Sequence, residues 1–271
     1  MRIYNILLAG ALCSSAILSS AQTDTIRSDK TITNAKMISV GATNILDTYL
    51  SPEKYRGTEL RFISHTTREP DGKRWSRQIV HQGNMAYADN RSGDGSEIAG
   101  AYSFQYGWHY NWQWADGRLQ VKAGGAIDAN IGFIYNTRNS NNPAQARLSV
   151  DIAPSAAAVY KFRWCERPLS VRYELSVPLM GVMFSPNYGQ SYYEIFNRGD
   201  YDRNIVPTTL VCAPSLRQQF TLDFTLLRTT FRIGYLGDIQ QAHVNNLKSH
   251  IYTHALVIGV VKRFKTIKIR P

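Results

Sequence analysis

A chain of 271 residues that is 44% hydrophobic and only 19% charged carries ample apolar material for a large core, which excludes a disordered protein. Lys and Arg outnumber Asp and Glu by 31 to 20, and 16 tyrosines add amphipathic rings to that basic balance. Past residue 21 the longest apolar run is about seven residues, around Ala255 to Val261, against the roughly 20 that a membrane helix needs, so helical membrane proteins are excluded too.

Arg2 opens a short basic segment, Ile6 to Leu18 is apolar or small, and Ser19-Ser20-Ala21 offers small residues where a signal peptidase reads. This predicts an export signal over residues 1–21, cleaved before Gln22, with a buried N-terminal helix as the alternative. Leu12 before Cys13 argues against a lipoprotein. A polar N-terminal segment follows at 22–30. Removing the signal leaves Cys165 and Cys212, and the strand order below sets them near opposite ends of their strands, so both are expected as free thiols.

From Ile98 to Trp114 every even position is apolar, aromatic or Gly, while the odd positions hold nothing apolar larger than Ala. The pattern moves to odd positions from Leu119 to Tyr135, after a hairpin signal at Asp116-Gly117. It returns from Leu148 to Trp164, from Leu169 to Leu179, from Leu210 to Leu226 with Gln218 interrupting, and from Thr229 to Tyr235. Soluble sandwich strands run about five or six residues, whereas alternation this long crosses a bilayer at a tilt.

The fold class is therefore all-β, a single antiparallel transmembrane β-barrel with an apolar outside and a charged inside. A soluble lipocalin-like barrel would invert that polarity. Short connections at 68–74, 115–117, 165–167 and around 227 alternate with longer ones at 89–96, 136–145, 185–205 and 238–248. Ten strands follow, at 31–43, 57–67, 75–88, 97–114, 118–135, 146–164, 168–184, 206–226, 228–237 and 249–264, with eight or twelve also compatible. Extra sheet within Ser191 to Phe196 would raise the number. Pro154, Pro178 and Pro214 should mark bends or bulges. Even parity places both termini in the periplasm of a bacterial outer-membrane protein, with the barrel over 31–264. A basic tail at 265–271, carrying Lys265, Lys268 and Arg270, is suited to inner-leaflet phosphates.

Ser51-Pro-Glu-Lys-Tyr-Arg-Gly57, Tyr135-Asn-Thr-Arg-Asn-Ser-Asn-Asn-Pro-Ala-Gln145, Ser185-Pro-Asn-Tyr-Gly-Gln-Ser-Tyr-Tyr-Glu-Ile-Phe196 and Arg228-Thr-Thr-Phe-Arg-Ile-Gly-Tyr235 resemble a family of Bacteroidetes outer-membrane proteins with a domain of unknown function. The resemblance covers roughly residues 30 to 264. It implies a location and a fold, and no functional residue carries over from it.

The sharpest chemical candidate is His81, on the lipid-facing parity of Trp75, Ile79, Met85 and Tyr87. Outer-membrane lipid hydrolases keep His and Ser on such a surface in a His-x-Ser-Asn sequence, but Gly83 stands here in place of the serine, leaving only Ser92 of the next loop as a distant nucleophile. The lumen is expected to hold Arg118, Lys122, Arg147, Lys161, Arg163, Arg172, Arg217, Arg228 and Arg232 against Glu97, Asp128, Asp151, Glu174 and Asp223. A narrow barrel would fill with such interlocking side chains, and an anion pathway is the functional alternative. Tyr188, Tyr192, Tyr193 and Phe196, with Tyr201, make the longest loop a candidate glycan-binding or lid segment. No metal, cofactor or nucleic-acid signature stands out. The expected partners are outer-membrane lipids and an envelope glycan or protein. The leading functional reading is a structural or ligand-binding envelope protein, with a small anion-selective pore and a lipid hydrolase using His81 as alternatives.

Overall fold

A computed structural model describes residues 27–268. The export signal over 1–21 and Arg270 of the basic tail lie outside the described residues. Twelve strands form one antiparallel sheet: β1 (Arg27–Asp47), β2 (Ser51–Pro70), β3 (Trp75–Asp89), β4 (Ser96–Trp114), β5 (Leu119–Asn136), β6 (Ala144–Trp164), β7 (Arg167–Ser176), β8 (Met180–Phe184), β9 (Ile205–Thr209), β10 (Leu216–Leu226), β11 (Thr229–Val244) and β12 (Leu247–Lys268). Consecutive pairings from β1 to β6 and the β1–β12 ladder, with β12–β11–β10–β7–β6 on the other side, close the sheet on itself. β7 with β8, and β9 with β10, act as single broken staves, so the closed barrel has ten.

Closure fixes the geometry. From Met37 of β1, the ladders lead through Ile63, Gln82, Ser103 and Asn130 to Ser149 of β6. In the other direction they lead through Gly259, Arg232, Asp223 and Ser170 to Lys161 of the same strand. The offset from 149 to 161 is the barrel's stagger, and for ten strands it gives a tilt of about 40° and a radius of about 10 Å. Side chains from facing walls meet across so narrow an interior.

Several strand limits differ from expectation. β1 and β2 run on through most of 44–56, leaving only Thr48–Leu50 between them, and β11 continues to Val244, where a loop at 238–248 was expected. Asn245 and Asn246 (φ 49° and 58°) make the two-residue turn there, a left-handed pair that Asn tolerates. Cys165-Glu166 and Leu227-Arg228 adopt the same positive φ in the short connections expected at 165–167 and around 227, although their residue types do not favour it. The stave expected at 168–184 breaks at Val177–Leu179, where Pro178 cannot donate to the ladder. The stave at 206–226 breaks at 210–215, around Pro214. Within β6, Pro154 is accommodated without a break, its carbonyl accepting from Val177 N at 3.0 Å. Ser191–Phe196 forms no sheet, and a π-helical turn spans Glu194–Arg198 instead. β12 extends through the start of the expected tail to Lys268.

The outer wall exposes Ile38, Val40, Leu60, Phe62, Ile127, Ile131, Ile152 and Ile258 over its middle, with Trp75, Trp112, Trp114 and Trp164 toward the end that carries the termini. Ser39, Glu59, Arg61, Asp128 and Thr253 are buried on the inward face. That polarity is what an apolar solvent outside and a hydrogen-bonded interior require.

Candidate functional site

The interior is layered. Nearest the middle, Arg61 donates from Nε to Glu59 (2.8 Å), and from Nη1 to Asp238 (2.6 Å) and Gln82 (3.0 Å). Arg217 joins Asp238 at 3.6 Å and Asp128 at 3.2 Å, so two guanidinium groups and three carboxylates form one network. Asn84 and Thr253 donate to the remaining oxygen of Glu59 at 3.1 and 2.9 Å. Toward the termini a second set joins Arg232 to both oxygens of Asp223 (2.6 and 2.8 Å), Arg172 to Glu174, and Lys122 to Glu69, with His65 3.5 Å from Glu174. Around these, Met37, Ile63, Val80, Leu236, Val257 and Val261 form an apolar cluster. At the loop end Ile45, Leu50, Tyr55, Ala88 and Ile134 form another, capped by Asn136, which donates to Tyr55 (2.9 Å) and Glu97 (3.0 Å). A cavity of about 110 Å³ remains beside Asp128, Arg147, Asp151 and Arg217. It is large enough to admit a few waters, and the unpaired Asp128 Oδ1 offers them an acceptor.

Of the residues expected in the lumen, Lys122, Asp128, Arg172, Glu174, Arg217, Asp223 and Arg232 take part in these ion pairs. Arg147 reaches Gln240 at 3.4 Å, and Asp151 accepts from Ser149 at 2.9 Å. Arg118 is a correction: it is exposed in the turn before β5, on the right parity but beyond the ladder. Lys161, Arg163 and Arg228 are likewise exposed near the terminus end, Arg163 pairing with Glu166 at 3.3 Å. Glu59, Arg61, Glu69 and Asp238, central to the network, were not singled out in the sequence. Glu59 and Arg61 fall on the inward parity of the strand expected at 57–67, a signal that was available, whereas Glu69 and Asp238 fell in segments expected to be connections.

His81 is on the outer wall, sharing a 2.6 Å hydrogen bond with the Tyr102 hydroxyl and packing on Phe104 at 5.1 Å. Ser64 stands directly opposite it in register, yet no hydrogen bond joins the two among the described residues. Ser92 donates to Asp94 in the β3–β4 loop, away from the histidine. Among the described residues no serine or cysteine is hydrogen-bonded to His81.

The β8–β9 loop carries the aromatic candidates. Phe196 stacks on Tyr192 (5.9 Å) and on Phe184 of β8 (6.2 Å), and Tyr49 meets Tyr192 edge-on at 5.8 Å. The Tyr192 hydroxyl donates to Gln145 (2.8 Å) and accepts from Ala146 N (2.7 Å), fixing the tier to β6, and burial pushes its phenol up to about 12. Tyr193, under the Arg198 guanidinium at 5.7 Å, stays exposed, as do Phe196, Tyr188 and Tyr201. Tyr192 is thus an anchor for the tier and Phe196 its accessible ring, while Tyr188 and Tyr193 are exposed elsewhere on the same loop. Ser191 donates twice to Glu194, at 2.7 and 2.9 Å, holding that carboxyl below its ordinary range. Asn245, at the neighbouring turn, donates to Ser185 O (3.1 Å) and Arg203 O (3.2 Å), tying the loop's two ends together. Cys165 and Cys212 are free, at opposite ends of the barrel. Among the described residues no three His, Cys, Asp or Glu side chains come together to hold a metal ion.

In its architecture the chain is similar to the transport unit of the autotransporter AIDA-I from Escherichia coli, at 9% identity and a TM-score of 0.48, covering 99% of this chain and 97% of that one. It is also similar to the outer membrane protease OmpT from Escherichia coli (8%, 0.43, covering 93% and 100%) and to the translocator domain of NalP from Neisseria meningitidis (10%, 0.40, covering 96% of each). No curated protein matches the chain. Residues 5–271 match a family described as "Protein of unknown function (DUF3316)".

Proposed function

The chain belongs to the DUF3316 family, and we propose that it is a bacterial outer-membrane barrel with a plugged lumen and periplasmic termini that binds an envelope glycan at its loop end. The observation that carries the binding reading is the aromatic tier. Phe196 is held from beneath by Tyr192 and open above, and Tyr193 and Tyr188 are exposed on the same loop. Fixed, exposed rings suit sugar faces, because little side-chain entropy is lost when a ligand stacks on them. The outer-membrane placement is supported by the closed sheet and its apolar exterior.

A pore is disfavoured by the filled interior, since the ion-paired layers and two apolar clusters leave small cavities, of about 110 and 40 Å³ among the described residues. A lipid hydrolase is disfavoured because His81 is bonded to Tyr102 instead of a nucleophile.

The test is a glycan-array screen of the purified protein, followed by calorimetry on hits with Phe196→Ala and Tyr193→Ala. Binding that weakens in both variants supports the reading. Hits insensitive to both, or selective capture of a partner protein with no glycan bound, would overturn it. Stable conductance steps in planar bilayers would favour the pore, and fatty-acid release lost in His81→Ala would favour the hydrolase.

A further inference from the structure

Arg68 of β2 and Arg77 of β3 stand directly opposite each other on the outer wall, and both are exposed. Directly opposed like charges destabilise a ladder. None of the ion pairs among the described residues includes either of them, or Lys36 and Lys262 on the outward faces of the next two staves. Lys262 is paired in register with Asn34, which donates to Thr66 Oγ1 at 2.7 Å, and Lys36 is the next outward residue on β1. Four cations on adjacent staves thus face the surrounding medium, next to Trp108, the register partner of Arg77. At the headgroup level of a bilayer such a gathering of cations attracts an anion to offset the charge.

A second feature lies above them. Gly83 of β3, opposite Phe62 and Tyr102, leaves open space where a Cβ would be. With Ile38, Leu60, Met85 and Ile131 it shapes an outward groove of about 650 Å³, within the size range of single-ligand sites. From Arg77 to Gly83 is six residues, about 20 Å along the strand and about 15 Å along the barrel axis at the tilt above, which is half a bilayer's hydrocarbon thickness and so about one acyl chain.

We propose that the outer wall of β12, β1, β2 and β3 holds one anionic glycerophospholipid, its headgroup phosphate between Arg68 and Arg77 and an acyl chain reaching the Gly83 groove. Arginine forks match phosphate oxygens bidentately, and Lys36 and Lys262 add charge around them. The groove accepts a chain where neighbouring strands present protruding side chains. This site rests on the membrane placement of the barrel and its periplasmic termini, and not on the loop-end reading.

The test is native mass spectrometry of the detergent-purified protein titrated with phosphatidylglycerol, phosphatidylcholine, lipopolysaccharide or inorganic phosphate, each variant first being checked for heat-modifiable migration. Phosphatidylglycerol should bind in preference to phosphatidylcholine. Its affinity should fall about tenfold, equivalent to ~1.4 kcal/mol, in Arg68→Gln/Arg77→Gln and again in Gly83→Leu. Lys54→Gln/Arg56→Gln, at the loop end of the same strand, should bind as the wild type does. Equal binding of the two phospholipids, preference for lipopolysaccharide, complete displacement by excess inorganic phosphate, or wild-type affinity in either test variant would overturn the proposal. If the double arginine variant does not fold, Gly83→Leu decides alone. A chain that proves not to be lipid-embedded fails the heat-modifiability check, whereas failure at the loop end leaves lipid binding unaffected.

Discussion

Arg61 of β2 and Asp238 of β11 meet at 2.6 Å inside the barrel although 177 residues separate them in the chain. Their contact is a chord across three ladders, and it is shared, because Arg217 lies 3.6 Å from the same carboxylate. The middle of the barrel is thus held by side chains as well as by the wall.

Removing the shared carboxylate therefore leaves two buried guanidinium groups short of a partner. Asp238→Ala is expected to cost about 3–5 kcal/mol. This should appear as a lower midpoint for heat-induced unfolding followed by gel migration. Arg163→Ala, which breaks an exposed pair with Glu166 at 3.3 Å, should leave the midpoint where it is.

Tyr192→Phe deletes a hydroxyl that both donates to Gln145 and accepts from Ala146 N. A loss of about 1 kcal/mol is expected, borne by the loop and not by the barrel. Limited proteolysis within residues 185–204 should accelerate while global unfolding stays unchanged. Faster global unfolding would show that the tier supports the wall instead.

The β11–β12 turn separates backbone from side-chain roles. Asn245→Gly keeps the positive φ but removes the donor to Ser185 O and Arg203 O, so the long loop should become protease-sensitive in an otherwise stable barrel. Asn246→Val forces a β-branched residue into a left-handed conformation and should destabilise by about 1–2 kcal/mol. Asn246→Gly should do neither.

Glu194 gives the loop a pH response. Two hydrogen bonds from Ser191 depress its pKa below the ordinary 4.5, so its contribution is fully present above that value and is lost as the pH falls through the depressed one. Tyrosine fluorescence or proteolysis of the loop should change on acidification below pH 4.5. Glu194→Gln should abolish that change, and a variant that titrates as the wild type does would refute the assignment.

The period-two pattern of residues 98–164 was sufficient in the sequence to fix the all-β class and the outward face, because a strand's faces alternate and no other regular element keeps that period. The same parity placed Lys122, Asp128, Arg172, Glu174 and Arg217 inside. It misplaced Arg118, because parity says which face a residue is on but not whether the ladder reaches it. The extension of β11 to Val244 was hidden because Gln240, Gln241 and His243 read as loop by polarity, and only their pairing with β12 makes them strand. Tertiary structure alone decided the Arg61–Asp238–Arg217 network and the Arg68–Arg77 opposition. The network depends on the stagger with which distant strands register, a property of closure around the whole barrel that no local stretch of sequence contains, whereas the arginine opposition depends on the register of the β2–β3 hairpin, which residue types alone do not fix.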